Sequence, residues 1–124
     1  MGTVTMFFDT YAFFEILRQN QKYEGFLRNF SVITTRLNLM ELYYGLLKNY
    51  DRKIADFVYN YLVQYSIDID DSTIKEAMLF KLQNRERNFS YVDCIGYVLA
   101  LRNNVKFLTG DNQFKGMPNV EFVK

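Results

Sequence analysis

The segment from Tyr91 to about Arg102 constrains the fold most, because its interior, Cys94-Ile95-Gly96-Tyr97-Val98-Leu99-Ala100-Leu101, carries no charge on any side. A helix that is apolar all round is a buried helix. The stretch from Thr35 to Tyr50 reads the same way, with Leu37, Leu39, Met40, Leu42, Tyr43, Tyr44, Leu46 and Leu47 spread around the helix. Short runs rich in β-branched and aromatic residues alternate with such helices: Thr3 to Phe8, Ser31 to Thr34, Val105 to Leu108 and Asn119 to Val123, with Ser66 to Ile69 as a further short candidate. No hairpin signal joins successive runs, so the pattern predicts an α/β fold, a parallel sheet of about five strands covered by helices on both faces. The first run is apolar throughout, as suits a central strand.

The remaining helices follow from apolar spacing and from their start signals. Asp9-Thr10 opens a helix carrying Phe13, Phe14, Ile16 and Leu17, and Asn20 to Phe30 allows a second, short one. Ile54 to Tyr65 places Phe57, Val58, Tyr61, Leu62 and Tyr65 on one face. Asp70-Asp71-Ser72 supplies acceptors for free N–H groups at the start of a helix expected to reach about Arg87, and Ser90 caps the one after it.

A chain of 124 residues is expected to form one domain, 1–124, with a core of its own. Its net charge of +1 advertises no global field for nucleic acid, so any RNA contact must be local. Without histidine, and with Cys94 as the single cysteine, zinc sites and imidazole-driven catalysis are excluded; any metal must be held by oxygen. The start of the chain runs straight into Asp9 with no basic leader, and no apolar run approaches the ~20 residues that span a bilayer. The expected location is the cytoplasm, with no membrane partner. The twelve Phe and ten Tyr are read as core filling and a subunit interface before base stacking.

Four acids stand in unusual company. Asp9 follows a strand and could simply cap the next helix; Asp111 sits in the turn after Val105 to Leu108; Asp93 falls at the third helical position after Ser90, where a capping box places an acid. Glu41 has no such explanation, lying mid-helix between Met40 and Leu42. A buried unpaired carboxylate costs several kcal/mol, so it needs a cation or a network of donors. Gly45, one turn on, costs the helix about 1 kcal/mol relative to Ala, which implies a close packing partner. If the four carboxylates converge, two of them ~4 Å apart repel by ~4 kcal/mol at an effective dielectric near 20. The natural counter-charge is then a hard divalent cation, Mg²⁺ or Mn²⁺, held by carboxylates and waters. Such an ion serves phosphodiester hydrolysis.

These pieces, in order, resemble the PIN domain, and most of all the small VapC-type ribonuclease toxins. The matching motifs are Phe7-Phe8-Asp9-Thr10; Thr34-Thr35 leading to Glu41-Leu42-Tyr43-Tyr44-Gly45; Ser90-Tyr91-Val92-Asp93-Cys94-Ile95; and Phe107-Leu108-Thr109-Gly110-Asp111-Asn112-Gln113-Phe114. The resemblance implies a PIN-like three-layer sandwich and a metal-dependent endoribonuclease that leaves a 5′-phosphate. It implies Asp9 and Asp93 as direct ligands of Mg²⁺ or Mn²⁺, Glu41 as a ligand or water-positioning base, and Asp111 as a second-site or outer-shell ligand. Thr10 and Thr109 match hydroxyl positions that support the acids, with Asn112 beside them.

Relatives of this type form homodimers and are held inactive by an antitoxin, so the resemblance also implies a toxin–antitoxin pair. Lys81, Arg85 and Arg87 are candidate RNA phosphate contacts. Tyr11 departs from the small polar residue common after the Asp-Thr pair; it narrows the pocket mouth or offers a stacking surface. The alternatives are a non-catalytic RNA- or protein-binding relative and an RNA-processing nuclease without an antitoxin. Cys94 is read as packing, since no histidine exists to activate it.

Overall fold

The computed structural model describes residues 4–124. Thr3, the start of the expected first strand, lies outside them. Strand β1 (Val4–Phe8) leads into α1 (Thr10–Leu17), and a short helix α2 (Phe26–Asn29) precedes β2 (Phe30–Ile33). Helices α3 (Arg36–Asn49), α4 (Arg52–Leu62), α5 (Asp71–Gln83) and α6 (Tyr91–Arg102) follow, then β3 (Lys106–Thr109) and β4 (Val120–Phe122). The long helices begin where short polar side chains can accept an orphan N–H. Asp9, Thr35, Asp51, Asp70 and Ser90 each bond an N–H three residues on. Each such cap contributes about 1 kcal/mol.

The sheet has four parallel strands in the order β2-β1-β3-β4. The fifth expected strand, Ser66 to Ile69, is reduced to one parallel bridge between Thr34 and Ser66. The chain there has no room for a ladder: a 3₁₀ turn occupies Val63–Tyr65, and Asp70 already caps α5. What remains is a pair of edge bonds, Thr34 N–H to Tyr65 O at 3.1 Å and Ile67 N–H to Thr34 O at 2.9 Å.

Strand alternation sorts β1 between two cores. Met6 and Phe8 pack with Phe13, Tyr23, Leu39, Leu42 and Leu46 under α1 to α4. Phe7 faces the other way, into the core under α5 and α6 with Phe89, Cys94, Tyr97, Phe107 and Phe114. That second core is an aromatic stack: Phe7 on Phe107 at 5.5 Å, Phe107 on Phe114 at 4.7 Å and Phe114 on Phe89 at 4.4 Å between ring centres. Two helix layers thus enclose the sheet. Helix α6 is buried without interruption from Cys94 to Ala100, as its charge-free interior requires.

Helix α3 corrects the expectation that it too is buried on every side. It lies in an outer layer, where Leu39, Leu42 and Leu46 reach the sheet while Met40, Tyr44 and Leu47 remain exposed. Gly45 on its inner side meets α1 so closely that a Cβ would stand 2.2 Å from Phe14 Cζ. The expected helix to Arg87 stops at Gln83; a 3₁₀ turn, Arg85–Arg87, and Asn88 at φ 61° follow. Likewise Asn20 to Phe30 is not one helix: Gly25, at φ 87°, separates the 3₁₀ turn Gln21–Tyr23 from α2. Among the described residues no helix is long and apolar enough to cross a membrane.

Candidate active site

In a parallel sheet the crevice for a ligand opens beyond the carboxyl ends of the strands, at the point where strand order reverses. Here that point lies between β1 and β3, because the chain leaves β1 to one side for β2 and returns on the other as β3. Asp9 ends the first of these strands, and Thr109-Gly110-Asp111 ends the second. The last ladder bond, Asp9 N–H to Leu108 O at 3.3 Å, ties the two ends together.

Asp9 is only 4% exposed. Its Oδ1 accepts the Ala12 N–H at 2.9 Å, so the helix cap anticipated from sequence is real. Burial nevertheless pushes its carboxyl up to about 8, against the pull of hydrogen bonds from Thr109 and Ala12, and the nearby charges of Asp93 and Asp111 push the same way. Thr109 is itself buried, and its hydroxyl accepts the Asp111 N–H at 3.1 Å. Asp111 in turn caps the 3₁₀ turn Asn112–Phe114 by accepting the Gln113 N–H at 3.0 Å.

Asp93 forms the capping box with Ser90: its Oδ2 accepts the Ser90 N–H at 2.9 Å, and its own N–H donates to Ser90 Oγ at 3.0 Å. Its acidity is weakened first by burial; the Ser90 bonds oppose that, and Asp111 adds to it. Glu41, half-buried on α3, has no cation for a partner. Thr10 Oγ1 donates to its Oε1 at 2.6 Å, and Lys48 instead sits over the Tyr44 ring at 4.9 Å. Burial raises the Glu41 pKa, the Thr10 bond restrains it, and the Asp93 charge raises it further.

The four acids therefore share one electrostatic neighbourhood, fed by β1, α3, the start of α6 and the end of β3. Among the described residues, however, no three carboxylate or cysteine side chains form a cluster that would hold a metal ion by themselves. The donor set is all oxygen: carboxylates supported by the hydroxyls of Thr10 and Thr109. That suits Mg²⁺ or Mn²⁺, which keep several waters and take one or two carboxylates directly.

The other sequence candidates divide. Tyr11 lies beside the pocket, where a Cβ on Gly110 would stand 2.5 Å from its ring and 2.2 Å from Val123 O. Burial raises the Tyr11 hydroxyl pKa, with smaller contributions that include the charges of Glu15, Asp111 and Asp9. Asn112 is exposed and shares no hydrogen bond with the acids among the described residues. Lys81 lies near enough to Asp93 to favour its ionised form. It donates to the Phe89 carbonyl, sits over the Tyr91 ring at 5.0 Å, and lines a groove of about 320 Å³ with Arg85, Asn84 and Asn88. Arg87 has a structural task instead: its Nη1 donates to the carbonyls of Gln113 and Lys115, both at 3.0 Å, clamping the turn after Asp111.

Sequence reasoning missed Asn38. It is 2% exposed and joins Thr35 to Thr10 by hydrogen bonds of 2.7 and 3.1 Å. The available signal was its spacing, three residues after the Thr35 cap and three before Glu41.

Comparison with known proteins agrees with this geometry. No curated protein matches the chain. A toxin–antitoxin complex from Klebsiella pneumoniae contains a similar chain, at 16% identity and a TM-score of 0.73, covering 94% of this chain and 95% of that one. DNA-bound VapBC from Salmonella typhimurium matches at 16% identity and a TM-score of 0.73, with 98% of each chain covered. VapBC2 from Rickettsia felis, bound to a DNA fragment from their promoter, gives 16%, a TM-score of 0.72, and coverage of 97% and 98%. The sequence model of the PIN domain matches residues 6–120, a span that begins inside β1 just before Asp9 and ends in β4, so that all four acids fall within it. The chain belongs to the PIN domain family.

Proposed function

We propose that this protein is an endoribonuclease that hydrolyses RNA phosphodiester bonds with Mg²⁺ or Mn²⁺, and that it is the toxin of a toxin–antitoxin pair. The observation that carries this reading is Asp9, a carboxylate sealed at a sheet's switch point with its pKa raised to about 8 and two further acids close by. A fold does not benefit from such a concentration of unneutralised charge; a cation-dependent site does. Asp9 and Asp93 would hold the metal directly, Glu41 would hold it or its water, and Asp111 would act from a second position. When bound, the metal neutralises phosphate oxygens and lowers the pKa of water.

The chain's own residues do the rest. Thr10 and Thr109 hold the Glu41 and Asp9 carboxylates in position. Lys81 and Arg85, at the groove beside Asp93, would bind phosphates of the RNA strand. Water attacks the phosphorus in line, the bond to the 3′ oxygen breaks, and the product carries a 5′-phosphate. The solved structures named above are toxin–antitoxin assemblies, which supports an antitoxin as partner. The exposed apolar residues Met40, Tyr44, Leu47 and Phe57 on α3 and α4 support a protein interface, including a homodimer.

The test is cleavage of RNA with Mg²⁺ or Mn²⁺ against the same reaction in EDTA; activity that survives EDTA contradicts the proposal. A second reading, a non-catalytic PIN relative, is favoured by the lack of a preassembled three-ligand cluster. Calorimetric titration with Mn²⁺ separates the two, since a folded chain that binds no Mn²⁺ supports the second.

A further inference from the structure

Asn38 stands on α3 one turn before Glu41, buried, with its side chain in a hydrogen-bond chain of fixed direction. The Asn38 backbone N–H donates to Thr35 Oγ1 at 3.2 Å, and the Thr35 hydroxyl hydrogen goes to Asn38 Oδ1 at 2.7 Å. With Oδ1 engaged, Nδ2 faces Thr10 Oγ1 at 3.1 Å and donates to it. Thr10 has one hydrogen, and Glu41 Oε1, 2.6 Å away, takes it. The competing acceptor, the Asn38 carbonyl, is 3.4 Å away, beyond the usual O–H···O range.

Turning the amide over would lose bonds. Nδ2 would then donate to a Thr35 hydroxyl that already accepts the backbone N–H, and the Thr35 hydrogen would have no acceptor in the chain. The Thr10 hydrogen would be drawn to Oδ1 and leave Glu41. The helix cap at Thr35 therefore dictates, through Asn38, which way Thr10 donates. A hydroxyl-to-carboxylate bond of this length is charge-assisted and fixes its acceptor.

We infer that Asn38 is a positioning residue of the proposed nuclease site: acting through Thr10, it immobilises Glu41 Oε1 and so sets where Oε2 meets a cation or its water. The inference rests on the nuclease reading above.

The test is a double-variant cycle on the full chain with Asn38→Leu, which matches the amide in size, and Thr10→Val. Cleavage kinetics, Mn²⁺ affinity by calorimetry and thermal unfolding in EDTA are read for each. Asn38→Leu is expected to lower kcat and Mn²⁺ affinity by about 10–100-fold with KM for RNA unchanged. Adding Thr10→Val should cause no further loss, because both substitutions break one chain. If Asn38→Leu does not fold, Asn38→Ala, which keeps the backbone bond to Thr35, takes its place in the cycle. Folded variants with wild-type kcat and Mn²⁺ affinity, or losses that multiply in the double variant, overturn the role of Asn38 while the nuclease reading stands. A wild-type chain that neither binds Mn²⁺ nor cleaves RNA overturns both.

Discussion

Replacing Asp9 by asparagine should make the metal-free protein more stable, and increasingly so as pH rises. Asparagine keeps the cap, because its side-chain oxygen can still accept the Ala12 N–H. It removes a carboxylate whose pKa is raised from 3.8 to about 8 by burial and by Asp93 and Asp111. An acid with a raised folded-state pKa holds its proton in the folded protein after the unfolded chain has lost it. Its stabilising contribution is complete below pH 3.8 and is lost as pH climbs through the folded value near 8. At 1.36 kcal/mol for each tenfold change in acidity, the full loss comes to roughly 6 kcal/mol, a large share of the 5–15 kcal/mol typical of a domain. Relaxation and water entry reduce this, so a gain of about 2 kcal/mol or more is expected for Asp9→Asn at pH 8.5. Urea unfolding in EDTA from pH 4 to 9 measures it. The wild type should lose stability between about pH 4 and 8 relative to the variant, and saturating Mn²⁺ at pH 8 should restore the wild type alone. An Asp9→Asn protein that is less stable than wild type at pH 8.5 in EDTA would refute the reasoning.

Three further outcomes are expected. Gly45→Ala drives a methyl group to within 2.2 Å of Phe14 Cζ and should destabilise the fold by about 1–3 kcal/mol, read as a lower urea midpoint. Lys81→Gln should weaken RNA binding by a similar factor for every sequence and reduce the slope of log affinity against log salt by about 1, provided Asp93 is kept intact. Arg87→Met should free the Gln113 and Lys115 carbonyls, so amide exchange should quicken across Asn112 to Lys115 and leave α1 unchanged.

The legible parts of this chain were those encoded locally. Strand ends show in sequence because β1 and β3 are apolar runs that stop at a polar residue, and this placed Asp9 and Asp111 at one sheet edge. The Ser90–Asp93 capping box has its own three-residue signature, and Gly45 advertised the close approach of α1 by its cost to a helix. What stayed hidden depends on partners far along the chain. Asn38 bonds Thr10 across 28 residues, and Arg87 reaches the turn after Asp111 across a similar span. Apolar spacing could not separate the buried side of α3 from the exposed Met40, Tyr44 and Leu47, since both are apolar. The missing strand at Ser66 to Ile69 was lost to its neighbours, a turn on one side and a helix cap on the other.

The central claim is that the acids around Asp9 hydrolyse RNA with a bound divalent cation. Single-turnover cleavage of one end-labelled RNA by the wild type and by Asp93→Asn, at matched Mn²⁺ concentrations, tests it most directly. The account predicts products with 5′-phosphate ends from the wild type and background cleavage from a folded Asp93→Asn protein. Equal rates from the two proteins would contradict it.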